Sequence, residues 1–105
     1  MESDLAAVMA AVESANIPFD CRRTALWCLG HLPATFERFG QTYESRYADE
    51  VVRLERGLLS ALDDKDAAAG STVREKLRVV HERLGLPDPP EAAKAKVVKA
   101  RKKSA

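Results

Sequence analysis

Residues 36–62 read FERFGQTYESRYADEVVRLERGLLSAL, and their reading decides the fold. Phe36, Phe39, Tyr43, Tyr47, Val51, Leu54, Leu58 and Leu62 recur at steps of three or four residues. At 100° per residue they fall in an arc about 140° wide, the apolar stripe of an α-helix. The pattern predicts one helix over 34–63, about 45 Å long at 1.5 Å per residue. Gly40 and Gly57 lie in or beside this stripe. A missing side chain there either lets a partner helix come close or merely weakens a long helix.

On the N-terminal side, Leu5, Val8, Met9 and Val12 keep helical spacing, with Ser3 expected as N-cap and Asp4 near the positive end of the dipole. Asn16-Ile17-Pro18 ends that helix. Asp20 is expected to cap a second one, with Leu26, Leu29 and Leu32 inward and Trp27 and Cys28 on the flanks. This helix is expected to stop or kink at Pro33, because proline disfavours helical geometry in the residue before it. Trp27 is expected in the core rather than at an interface. On the C-terminal side, Asp64 to Gly70 reads as a loop. Thr72-Val73-Arg74-Glu75 has the form of a capping box opening a last helix, with Val73, Leu77, Val80 and Leu84 inward. Gly85 at C′, Leu86 behind it and Pro87 beyond make a well-specified stop. The expected fold class is all-α: a three- to four-helix bundle around one long amphipathic helix, over residues 1–86. A proline-rich linker follows at 87–91 and a basic tail at 92–105.

Composition agrees with this class. The chain is 46% hydrophobic and 31% charged, typical of a globular helical protein, and Ala, Leu, Glu, Arg and Lys favour helix. A domain of this size buries roughly 60–65% of its unfolded surface, so stability to spare is small and association with a partner subunit or a second copy would help. Met1-Glu2-Ser3-Asp4 is acidic where a secretion signal is basic, and no apolar run approaches a membrane span. The expected location is cytoplasmic, without a membrane partner. Cys21 and Cys28, seven residues apart on one helix, sit about 10 Å apart along its axis and cannot form a disulfide.

Charge is distributed unevenly. Residues 1–70 hold seven basic and twelve acidic side chains, and residues 71–105 hold ten basic and four acidic, so the formal net charge of +1 is a cancellation. Lys94, Lys96, Lys99, Arg101, Lys102 and Lys103 form an acid-free basic run that Arg74, Lys76, Arg78 and Arg83 extend onto the last helix. Such a polycation neutralises phosphates and releases counterions without needing a precise geometry, so nucleic acid, RNA or DNA, is the expected partner.

Catalytic and metal chemistry find little footing. Cys21, Cys28, His31 and His81 offer neither a CxxC pair nor an HExxH motif, and no activating base is identifiable beside a cysteine. No cofactor and no enzyme activity are expected. Tyr43, Arg46, Tyr47 and Glu50 are the one chemically rich cluster, read either as a structural network or interface or as a site for a small polar ligand. The expected function is therefore a non-enzymatic accessory or scaffolding subunit. It would hold nucleic acid electrostatically and associate through the Phe36 to Leu62 stripe with a larger protein or a second copy. The alternative is a protein-protein adaptor whose basic tail has no dedicated partner.

Overall fold

A computed structural model describes residues 2–63 and 65–90 of the chain; the expected tail at 92–105 lies outside the described residues. Among the described residues the protein is all-α, with α1 (Glu2–Ser14), α2 (Phe19–Thr42), α3 (Ser45–Asp63) and α4 (Ala67–Leu84) and no strand. Helices α2 and α3 form an antiparallel hairpin, α4 packs on α3, and α1 lies chiefly on α4. Each helix contributes one apolar face to a single core: Val8 and Val12, Leu29, Leu32 and Phe36, Val51, Leu58 and Leu62, Val73, Leu77 and Val80.

The continuous helix expected over 34–63 is instead two helices folded against each other. Tyr43 adopts the left-handed conformation (φ 57°, ψ 26°), its N–H donates to the Phe39 carbonyl at 2.7 Å, and α3 begins two residues later. The Thr42 hydroxyl secures the turn, accepting from the Glu44 N–H at 3.2 Å and donating to the Arg38 carbonyl at 3.2 Å. A left-handed non-glycine residue costs about 1–2 kcal/mol. Folding back buries Phe36, Phe39, Val51, Leu54, Leu58 and Leu62 against one another, at about 1.5–3 kcal/mol per side chain, so burial outweighs the strain. One straight helix would have left half of that stripe wet.

Four boundaries also move. Helix α2 runs through Pro33, which stands on the exposed side while Leu29, Leu32 and Phe36 hold the opposite face in the core; that burial outweighs the roughly 3 kcal/mol of a mid-helix proline. Helix α4 opens five residues before Thr72, because Asp66 supplies a better cap: its Oδ1 accepts from the Ala69 N–H at 3.1 Å and its Oδ2 from the Asn16 N–H at 2.9 Å. These two backbone bonds, Asn16 first, hold the Asp66 carboxyl below its ordinary pKa. The alanines at 67–69 then propagate the helix, and Glu75, freed of capping, pairs with Arg78. Ser3 and Asp20 lie inside first turns rather than ahead of them, and Pro18 precedes α2 without a side-chain cap.

The stop at Gly85 is as expected. Gly85 is left-handed (φ 76°), its N–H reaches the Glu82 carbonyl at 3.4 Å, and the Leu86 N–H reaches the His81 carbonyl at 2.9 Å, the two bonds of a Schellman motif. This turn carries Pro87 back over the end of α4. There His81, 2% exposed, lies between two acceptors: Nδ1 is 2.6 Å from the Pro87 carbonyl and Nε2 is 2.6 Å from Oε2 of Glu55, which is fully buried. A carbonyl only accepts, so Nδ1 carries a proton, and one further proton lies between Nε2 and Oε2. Burial would lower the His81 pKa, but the hydrogen bond and charge of Glu55, helped by the Pro87 carbonyl, reverse this and raise it. Burial also raises the Glu55 pKa, and His81 offsets only part of that. The pair is net neutral and holds its shared proton more tightly than the unfolded chain does.

Glycine positions mark the closest approach of helices. A Cβ on Gly57 would stand 2.8 Å from the Cys28 sulfur, so the bare backbone of α3 is what admits that thiol of α2. At Gly40 the neighbour is Leu84 Cδ2 at 3.5 Å, an ordinary contact. Gly30 faces open space. Denaturant unfolding of Gly57→Ala should show a loss of about 1–2 kcal/mol, overpacking offset in part by helix propensity, and Cys28→Ala in the same chain should cost less than the sum of the two. Gly30→Ala should gain about 0.5–1 kcal/mol.

Both raised pKa values make the same prediction for pH. The Glu55 contribution is complete below the unfolded glutamate value of about 4.3 and that of His81 below the unfolded histidine value of about 6.5, and each is lost as pH rises through its raised folded value. Urea unfolding of the wild type should therefore show stability falling on the alkaline side. Glu55→Gln, whose amide donates to a neutral imidazole, should remove that fall. His81→Ala should cost about 3–5 kcal/mol, because it leaves a buried carboxylate unpaired.

Candidate functional site: an arginine-lined cleft

The α2–α3 hairpin is sealed along its core side and open along one flank. Residues 27, 31, 35 and 38 of α2 share a face at helical spacing, as do 46, 50 and 53 of α3, and the two flanks diverge from the buried seam. Between them lies an open cleft of about 430 Å³. Its α2 wall is Trp27, His31, Thr35 and Arg38; its α3 wall is Arg46, Tyr47, Glu50, Arg53 and Leu54. Three guanidiniums thus face one lining carboxylate.

Local interactions orient these groups. Arg46 lies over the Tyr47 ring, 4.8 Å from its centroid, donates to the Tyr47 hydroxyl at 3.0 Å, and meets Glu44 at 2.8 Å. Arg53 lies against both carboxylate oxygens of Glu50, 2.8 Å from Oε2. Arg38 is exposed and makes no ion pair among the described residues. The exposed pairs are worth little in themselves, so their cations remain open to exchange for a better anion. Trp27, expected in the core, is 57% exposed and stacks obliquely on His31, with ring centroids 4.3 Å apart and planes at 49°. Beyond the indole a second, shallower depression holds Asp20, Arg23 and Thr24. Beneath the cleft, burial pushes the Cys28 thiol pKa up and Arg53 reverses only part of it, so the sulfur stays a protonated, poorly nucleophilic thiol. Guanidiniums donate hydrogen bonds and do not give up protons, and indole and phenol rings offer flat apolar faces. The arrangement suits holding a planar, anionic ligand.

The other expected site residues are dispersed. Phe36, Phe39, Val51, Leu54, Leu58 and Leu62 are 0–8% exposed within the chain's own core, so the stripe expected to meet a protein partner is already covered. Of that stripe Tyr43 is 67% exposed, edge-on to Phe39, and Tyr47 is half-buried in the cleft. Arg46, Tyr47 and Glu50 line the open cleft, and Tyr43 does not join them. On α4, Arg74 and Arg78 fall on one side of the helix and Lys76 and Arg83 on the opposite side, so the four make no continuous patch. Arg74 donates to the Pro89 and Pro90 carbonyls, Arg78 pairs with Glu75, and Arg83 is 3.5 Å from Asp4. Lys94, Lys96, Lys99, Arg101, Lys102 and Lys103 lie outside the described residues.

Cys28, His31 and His81 are engaged at three separate places, and among the described residues no three side chains converge as metal ligands. No helix among the described residues is long and apolar enough to cross a membrane. Sequence reasoning missed Arg38, Arg53 and Trp27 as site residues; their signal was the run of polar and aromatic side chains at helical spacing on the flank of the stripe. No protein-family model, no curated protein and no solved structure matches the chain.

Proposed function

We propose that the protein is a non-enzymatic accessory or scaffolding subunit of the cytoplasm that holds nucleic acid electrostatically. The observation that supports this reading best is the cleft: three guanidiniums against one lining carboxylate, with Arg38 unpaired among the described residues. A nucleic-acid phosphate offers a guanidinium the same two parallel hydrogen bonds as a surface carboxylate, and its capture in addition releases the condensed counterions of the polyanion. The basic side chains from Lys94 to Lys103 add contacts of the same kind. Association with a protein partner or a second copy falls to the exposed aromatics, since the expected stripe lies in the core.

The second reading, a protein-protein adaptor, is favoured by Phe19, which is 71% exposed and carries Arg23 over its ring at 5.9 Å.

Fluorescence anisotropy with a labelled oligonucleotide at about 50 and 200 mM salt tests the first reading. The full chain, making six or more phosphate contacts, should lose about 10³-fold in affinity between the two. Replacing Arg38, Arg46 and Arg53 together by Gln should lower the slope of log affinity against log salt by about 2–3. Binding that ignores salt, or no binding at either concentration, would refute the proposal and leave the adaptor.

A further inference from the structure

Resting on the nucleic-acid reading, we infer that the cleft takes unpaired nucleotides: Trp27 and Tyr47 stack on bases while Arg38 and Arg53 hold the adjoining phosphates. The ligand is single-stranded nucleic acid, and the strand state is read by the rings rather than by the charges.

Trp27 carries the inference. It is the chain's one tryptophan, and a ring of that size normally covers 150–250 Å² of core, yet here it is 57% exposed. Its close ring contact is with His31, not with the core, and that stack stiffens it as a platform. The indole borders both surface depressions, so a planar ligand meets it from the side of Arg38 and Arg53 or from that of Arg23. Tyr47 stands on the opposite wall, held by Arg46 through its face and its hydroxyl. Rings alternating with guanidiniums along an open groove are the arrangement by which proteins track a single strand, stacking bases without regard to sequence.

A duplex is excluded from this mode. Its base faces are covered by neighbouring bases, and a side chain reaches only their edges in the grooves. A duplex therefore gains the phosphate contacts of the cleft and nothing from the indole. An acidic peptide likewise satisfies the guanidiniums but presents no π-face.

The single tryptophan makes the test direct. The full chain is titrated with an oligothymidylate of about 20 nucleotides, with a duplex of the same length, and with poly-L-glutamate, while indole emission is followed. The oligothymidylate should quench Trp27 strongly and the other two should not. Anisotropy with labelled strands then compares Trp27→Ala and Trp27→Phe: the alanine variant should bind the single strand about tenfold or more weakly and the duplex within about twofold of wild type, and phenylalanine should restore most of the loss. Circular dichroism establishes that each variant is folded, and the quenching experiment stands independently of both. Equal quenching by duplex or polyglutamate, or equal loss on both nucleic acids in Trp27→Ala, would overturn single-strand stacking while leaving electrostatic binding intact. Absence of binding to every nucleic acid would overturn both.

Discussion

Glu55 and His81 meet across α3 and α4 with one proton between Nε2 and Oε2, in a place from which water is excluded. The surrounding structure keeps it so. Phe36 lies edge-on to the imidazole at 5.9 Å, the Schellman turn at Gly85 swings Pro87 over its far side, and Arg74 clips the Pro89 and Pro90 carbonyls back onto α4. A pair of apolar side chains could match its stability, since desolvation takes back most of what a buried ion pair gains. What the pair adds is register: Nε2 meets Oε2 at only one rotation and height of α4 against α3. It does so at some cost, because Oε1 of Glu55 is buried without a partner among the described residues, and that oxygen fits a carboxyl that burial drives toward its protonated form.

With α4 registered on α3, the remaining geometry follows from the turn at Tyr43. The apolar stripe from Phe36 to Leu62 is consumed in closing α2 on α3, which leaves no continuous greasy face for a partner. Side chains one step off that stripe are thereby carried to the flank of the hairpin, where Arg46 and Arg53 of α3 line up across from Trp27, His31 and Arg38 of α2. Core and cleft are two faces of the same helical periodicity. Gly57 sets how closely the two helices approach, since its bare backbone admits the Cys28 thiol, which lies within electrostatic reach of Arg53.

Much of the architecture is legible in the residues alone. Helical spacing identified the buried positions of α3 and α4, and the Gly85-Leu86-Pro87 stop is written in local backbone preferences that tertiary structure has no reason to override. The turn at Tyr43 was illegible because no glycine or proline marks it; the strain is local, whereas the burial that outweighs it comes from residues more than ten positions apart. Pro33 misled for the converse reason, a strong local signal overruled by a buried face. The Asp66 cap was hidden by its second partner, Asn16, fifty residues away. Of the site, Arg46, Tyr47 and Glu50 could be grouped from spacing on one helix, but Arg38 and Trp27 belong to the other wall and meet them only once the chain folds back. The buried pair left a trace that went unread. Glu55 sits among Val51, Leu58, Leu59 and Leu62, and His81 between Leu77 and Leu84: two ionisable groups, each on an apolar face, that could be buried only together.

The shared proton is the claim on which this architecture turns, and it is open to direct observation by following the imidazole nitrogens of His81 with long-range ¹H–¹⁵N spectroscopy from about pH 5 to 9. Nδ1 should remain protonated throughout, locked on the Pro87 carbonyl, and Nε2 should keep the shift of a nitrogen sharing a proton as pH rises past the ordinary histidine value of about 6.5. An imidazole that releases its proton at or below that value, or that exchanges between tautomers, would contradict the account.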